Sequence, residues 1–105
     1  MEVSPRVGKF LKEKFGYSAP SFYVYDNEEK KFWAENVKNP IPAPTVMEAV
    51  EFLWETGIQI YSVPEGKESR GIIKVGEKLE VMKGTERTPT ESFNGCLEFL
   101  SEAGR

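Results

Sequence analysis

The side chains that most often carry out acid–base and metal chemistry are scarce in this chain. Histidine does not occur, and Cys96 is the only cysteine. Histidine is the commonest general base and metal ligand, and zinc seldom accepts a ligand set made almost wholly of carboxylates. The sequence therefore predicts no catalytic residues, no metal site and no cofactor.

Cys96 is the remaining candidate for a nucleophile. A reactive thiol needs a neighbouring base and an electropositive, partly open setting. The spacing instead places Cys96 between Phe93 and Leu100 on the apolar stripe of a predicted helix. Free cysteines are among the most buried residue types, so we interpret Cys96 as a core residue.

A Gly-Lys pair at residues 66 and 67 resembles part of a phosphate-binding loop. The motif needs a glycine at position 61, where Tyr61 stands, and Ser or Thr at position 68, where Glu68 stands. We interpret residues 65–71 as a polar loop between strands. Lys67 and Arg70 on that loop, with Tyr61 nearby, form the alternative functional hypothesis: a domain that binds a small molecule or an anion.

Aromatic residues in the first third of the chain exceed what a small core needs. Because a strand alternates its faces, Tyr23 and Tyr25 point away from the side that Val24 takes. Exposed Tyr and Trp are typical of protein interfaces. We therefore expect Tyr23, Tyr25, Trp33 and Trp54 to anchor a protein partner or a second copy of the chain. The alternative is a sheet covered on both faces, with these rings in two cores.

Three segments have the spacing of amphipathic helices that must position these residues. They start near Ser4-Pro5, Thr45 and Thr88-Pro89, where Ser or Thr offers an N-cap and Pro suits the first helical turn. Glu48 and Glu91 follow their caps by three residues, as in a capping box. The acidic residues on these helices, such as Glu51 and Glu55, are interpreted as solvent-facing.

Strands are predicted between the helices. Residues 22–25 and 31–37 form a first hairpin, and residues 38–45, with three prolines, are expected to form an irregular connection. Residues 58–63 form a strand that Pro64 ends. Residues 72–75 and 79–82 form a second hairpin, and a three-residue loop pairs Val75 with Leu79 and Ile73 with Val81. The predicted fold is one α+β domain over residues 1–105, a mainly antiparallel sheet of about five strands with three helices, ordered α-β-β-α-β-β-β-α.

Composition limits the class of protein. With 105 residues, 39% hydrophobic and 30% charged, the chain suits one ordinary core and lacks the long apolar run of a membrane span. The net charge of −3, with mixed signs, argues against nucleic-acid binding. The N-terminus does not open a signal peptide, and one cysteine agrees with a reducing compartment, so a cytoplasmic location is expected.

Residues 43–104 carry a family resemblance. The segment APTVMEAVEFLWETGIQIYSV, followed by a hairpin and TPTESFNGCLEFLSEAG, resembles small helix-strand-strand-helix proteins encoded by phages and mobile elements of gut bacteria. The resemblance implies a fold and an origin but no active site, because members of that group are largely uncharacterised. Our leading hypothesis is therefore a non-catalytic interaction or assembly domain of phage or mobile-element origin.

Overall fold

A computed structural model describes residues 1–18, 23–26, 30–33, 37–77 and 79–104. The described elements are α1 (Pro5–Phe15), β1 (Tyr23–Asp26), β2 (Lys30–Trp33), β3 (Ile41–Pro42), α2 (Val46–Glu55), β4 (Ile58–Glu65), β5 (Glu68–Val75), β6 (Leu79–Glu86) and α3 (Pro89–Ala103). The fold is α+β with antiparallel sheets, and the predicted order of helices and hairpins is confirmed. One short strand, β3, is added before α2.

Each helix begins at the predicted capping residue. The Ser4 hydroxyl accepts a hydrogen bond from the Val7 amide at 3.3 Å. Thr45 and Glu48 form a complete capping box, with bonds of 3.1 and 2.9 Å to each other's amides. At α3 the Thr88 hydroxyl accepts a hydrogen bond from the Glu91 amide at 3.2 Å. These bonds satisfy amides that have no partner within the helix, which explains why the helices start at these residues.

The first sheet has the strand order β2-β1-β3. Its third strand lies within the proline-rich connection that we expected to be irregular, and this expectation is wrong at Ile41 and Pro42. They pair with Tyr25 and Val24. A proline is tolerated on an edge strand because an outward-facing residue there need not donate to the ladder. The predicted strand residue Phe22, the turn residues 27–29 and residues 34–36 lie outside the described part.

The second sheet has the order β4-β5-β6, so the described strands form two three-stranded sheets instead of one larger sheet. The predicted three-residue loop is confirmed, with Val75 opposite Leu79 and Ile73 opposite Val81. The predicted end of β4 at Pro64 is wrong. The strand continues through Pro64 to Glu65, which pairs with Glu68.

The second sheet has one buried face and one outer face. Its buried face carries Ile60 and Ile73, which lie under α2 and α3 in the main core. Cross-strand partners share a face, so Tyr61, Ile72 and Met82 form a row on the opposite side. The core also takes Val3, which precedes α1, and side chains from all three helices: Val7, Leu11, Val46, Ala49, Val50, Leu53, Cys96 and Leu97.

A candidate docking groove

An apolar groove lies between α2, the outer edge of β4 and the first turns of α3. Its volume is about 460 Å³, within the range of roughly 300–1,000 Å³ found for sites that bury small ligands. The groove is lined by Met47, Val50, Glu51, Trp54, Ile60, Tyr61, Ser62 and Phe93. We call this set the docking groove.

Helix α2 supplies one wall of the docking groove because one of its apolar stripes packs in the core and the other remains at the surface. Val46, Ala49, Val50 and Leu53 are buried in the core. Met47 and Trp54, seven residues apart and so on one side of the helix, remain 43% and 41% exposed. The sequence places these two apolar side chains where the domain's own core does not cover them.

Trp54 is held in place despite its exposure. Its indole Nε1 donates a hydrogen bond of 3.1 Å to the carbonyl of Ile60. Its ring meets Tyr61 edge-on, with 5.0 Å between ring centroids, and the Tyr61 hydroxyl donates to Gln59 Oε1 at 2.8 Å. A side chain that is already ordered loses less conformational entropy in any later contact, and these two interactions order Trp54 in advance.

A further polar group of the docking groove, the Ser62 hydroxyl, is also engaged within the fold. The Ser62 hydroxyl is hydrogen-bonded to the Ser92 hydroxyl at 2.7 Å. Glu51 is the charged side chain in the lining and is exposed. The arrangement provides an apolar surface with a carboxylate at its border. It can take up apolar side chains and attract a cation beside them.

The four predicted anchor residues do not form one patch. Trp54 lines the docking groove, whereas Trp33 lies on β2 of the other sheet and is 45% exposed. The backbone of Tyr23 pairs with that of Trp33, and the Tyr23 side chain lies outside the described part.

The prediction that Tyr25 is a surface anchor is wrong. Tyr25 is only 8% exposed, and its hydroxyl donates a hydrogen bond to the carbonyl of Val3. Val24, which points to the opposite face of β1, is buried too. At these two positions the first sheet is covered on both faces, which is the alternative that the aromatic pattern left open.

The predicted polar loop over residues 65–71 is instead a tight hairpin turn. Glu65 pairs with Glu68, so only Gly66 and Lys67 lie between the strands. Gly66 has a φ of 65°, which suits the first central position of a type II′ turn. Lys67 is exposed at the tip of this turn.

Arg70 lies on β5 and is occupied by its own neighbours. Its guanidinium bonds both carboxylate oxygens of Glu65, at 2.5 and 3.0 Å, and the carbonyl of Lys83 at 2.6 Å. The hydrogen bond from Arg70 lowers the pKa of Glu65 below its ordinary value. Since Tyr61 lines the docking groove and Lys67 marks the hairpin tip, the structure does not gather the three residues into the predicted anion site.

Cys96 lies fully buried on α3, as the sequence predicted. Burial raises the pKa of its thiol to about 11, an effect that the nearby Lys83 ammonium only partly offsets. At neutral pH the thiol is therefore protonated, and the thiolate is the form that attacks electrophiles. Cys96 is a packing residue.

A second cavity of about 320 Å³ lies between α1 and the end of α3. Its lining includes Arg6, Lys9 and Lys14, together with Glu13. Arg6 is already bonded to Glu98 at 2.8 Å on α3. This cavity mixes both signs of charge and does not share the apolar character of the docking groove.

The described residues, 1–18, 23–26, 30–33, 37–77 and 79–104, contain no cluster of three or more Cys, Asp or Glu side chains that could hold a metal ion. None of the helices in this part of the chain has the length and apolar character needed to cross a membrane. Comparisons with protein-family models, with curated proteins and with solved structures found no match to the chain.

Sequence reasoning did not select Met47 or Phe93 as functional residues. Phe93 was predicted to lie on the apolar stripe of α3, and Met47 was not singled out. The seven-residue spacing of Met47 and Trp54 could have linked them, because such residues lie on one side of a helix. The contribution of Phe93 depends on how α3 packs beside β4 and has no local signal.

Proposed function

We propose that this chain is a non-catalytic protein-interaction domain whose docking groove binds an apolar segment of a partner protein flanked by basic residues. The observation that carries the proposal is the pair Met47 and Trp54, two large apolar side chains left more than 40% exposed beside one groove. Aromatic residues and Met are enriched in protein interfaces, and Trp is among the residues that contribute most to binding.

The basic character of the partner follows from the charge on α2. This helix carries Glu48, Glu51 and Glu55 and has no Lys or Arg. Successive residues turn by 100°, so these three carboxylates lie side by side next to the stripe of Met47 and Trp54. Opposite charges across an interface speed association and select the partner. A segment with Lys or Arg beside its apolar side chains fits this border.

The proposal also includes a cellular location and a genetic origin. The composition and the single cysteine support a cytoplasmic location. The resemblance of residues 43–104 to small proteins of phages and mobile elements supports an origin in such an element. An interaction or assembly role suits a small domain whose Tyr61 and Ser62 hydroxyls are occupied in holding its own fold.

A random peptide library displayed on phage tests the proposal. The folded chain is immobilised and peptides are selected, and the dissociation constants of the enriched peptides are then measured by fluorescence polarisation. We expect Met47→Ala and Trp54→Ala to weaken binding by about tenfold or more, as for interface residues that dominate affinity. Met82→Ala is the matched control, because Met82 is 61% exposed but lies on the outer sheet face, two strands from Tyr61.

Three results would overturn the proposal. One is a selection that enriches no peptide whose affinity depends on Met47 and Trp54. Another is light scattering that shows a dimer of the wild-type chain which Met47→Ala abolishes, because the groove would then be occupied by a second copy. Equal losses for Met47→Ala and Met82→Ala would likewise exclude a groove-specific contact.

A further inference from the structure

We infer that the segment bound in the docking groove is an amphipathic helix and does not add a strand to β4. This inference rests on the proposed function and specifies the conformation of the partner. Both modes of peptide recognition are common: an extended peptide pairs with an exposed strand edge, and a helix lays its apolar face in a groove. The structure of β4 discriminates between them.

The backbone of β4 alternates between its partner strand and its free edge. The Gly76 amide donates to the Gly57 carbonyl at 3.4 Å, just beyond the first pair of the β4–β5 ladder. In an antiparallel pair, every second residue bonds the partner strand. Gly57, Gln59 and Tyr61 therefore face β5. Ile58, Ile60, Ser62 and Pro64 present their backbone groups to the outer edge, where the docking groove lies.

That outer edge is blocked at two of its four positions. The Ile60 carbonyl already accepts the hydrogen bond from Trp54 Nε1, at 3.1 Å. Pro64 has no amide hydrogen to donate. Ser62 lies between them, so an added strand meets one intact residue along the centre of β4. Affinity in strand addition comes mainly from a run of backbone hydrogen bonds, and this edge does not offer such a run.

Side chains of α2 suit a helical partner. Met47 and Trp54, with the buried Val50 at the base of the groove between them, follow the spacing of three and four residues that a second helix matches when its ridges pack into the grooves of the first. From Met47 to Trp54 the stripe extends for about 10 Å, or two turns at 1.5 Å per residue. Basic residues beside the apolar stripe of the partner then lie next to Glu51 and Glu55.

Four synthetic peptides of about 16 residues, long enough for four helical turns, test the inference. The first has Leu at helical spacing with Lys beside it. The second has the same composition with Leu and Lys alternating, the third replaces Lys with Glu, and the fourth places Pro at the centre of the first. Affinities come from fluorescence polarisation and induced helix from circular dichroism.

We expect the first peptide to bind about tenfold or more tightly than each of the other three, with a gain in helix signal. Glu51→Lys should reduce the difference in affinity between the first peptide and the acidic peptide. Met47→Ala should weaken binding of the first peptide, whereas Met82→Ala should not. The inference is overturned if the alternating peptide binds as tightly as the helical one, if the central proline leaves the affinity unchanged, or if none of the four peptides binds.

The outcome also separates the inference from the proposed function. Library peptides that depend on Met47 and Trp54 but tolerate a central proline leave the docking groove in place and remove the helix. A library that yields no peptide dependent on Met47 and Trp54 removes both.

Discussion

Gly71 on β5 lies directly against Cys96 on α3. A β-carbon at residue 71 would come within 2.5 Å of the Cys96 sulfur and 2.9 Å of the Ser92 carbonyl oxygen. Contacts this close do not occur between real side chains, so the backbone of β5 and the helix approach each other only because residue 71 has no side chain. This contact fixes how near α3 lies to the second sheet, and α3 in turn carries Phe93 to the docking groove.

Gly71→Ala should destabilise the fold. The added methyl group must push α3 away from β5, and such overpacking costs about 1–3 kcal/mol. Gly95→Ala is the control, because a β-carbon there has no neighbour within 4 Å. In a helix interior this change should stabilise by up to about 1 kcal/mol. Urea unfolding of both variants measures the difference, and equal effects would mean that the close contact is absent.

Cys96 should react slowly while the protein is folded. With its pKa raised to about 11 by burial, the thiolate fraction at pH 8 is small, and the sulfur has no access to solvent. We expect iodoacetamide labelling of the native protein to be much slower than labelling in denaturant. Rapid labelling of the native state would contradict the buried position of the thiol.

The same shift predicts a loss of stability at alkaline pH. Because the folded pKa lies above the ordinary value of 9.0, the unfolded thiol loses its proton first as pH rises. Stability from this group is therefore complete below pH 9 and is lost towards pH 11, by roughly 2–3 kcal/mol at 1.36 kcal/mol per pKa unit. Chemical unfolding of the wild type and Cys96→Ser at several pH values isolates this contribution, which should vanish in the variant.

Tyr25→Phe should show that Tyr25 belongs to the interior. The substitution keeps the ring but removes the hydrogen bond to the Val3 carbonyl, which should cost about 1–2 kcal/mol because the buried acceptor loses its partner. Thermal unfolding followed by circular dichroism measures the loss, while peptide binding to the docking groove should not change. A neutral effect on stability would argue that the hydroxyl faces solvent.

Trp54→Phe should separate the effect of the aromatic ring from that of the indole N–H donor. Phenylalanine retains an aromatic ring in the docking groove but cannot donate to the Ile60 carbonyl. A hydrogen bond of this kind contributes about 0.5–1.5 kcal/mol. We expect this loss in unfolding experiments, together with stronger self-association at high protein concentration, since an open strand edge pairs with other chains. Sedimentation velocity checks the second effect, and an unchanged profile would show that the edge is closed by other means.

Local signals allowed much of the fold to be predicted from the sequence. The caps at Ser4, Thr45 and Thr88 and the loop that pairs Val75 with Leu79 depend on residues close in the chain, and they are confirmed. Pro64 was misleading. A proline usually marks the end of a strand, yet at an outward-facing position of an edge strand its missing amide hydrogen costs no bond.

The site was harder to predict because it depends on long-range packing. Tyr25 on β1 and Trp54 on α2 were both expected at the surface, but Tyr25 reaches the carbonyl of Val3 while Trp54 remains exposed. Likewise, Arg70 was expected to be available on a loop, but the two-residue turn folds β5 back along β4 and brings the Glu65 carboxylate to the Arg70 guanidinium. Whether a charged or aromatic side chain is available depends on neighbours that are distant in sequence or fixed by the turn.

The hydrogen bond from Trp54 to Ile60 has a consequence for anyone who redesigns this surface. Under the proposed function, the side chain that contacts the partner also occupies the Ile60 carbonyl through its N–H group, so binding affinity and protection of the strand edge from aggregation depend on one residue. Substitutions of residue 54 that are chosen to raise affinity must keep an N–H group that donates to the Ile60 carbonyl, or the higher affinity will come with poorer solubility.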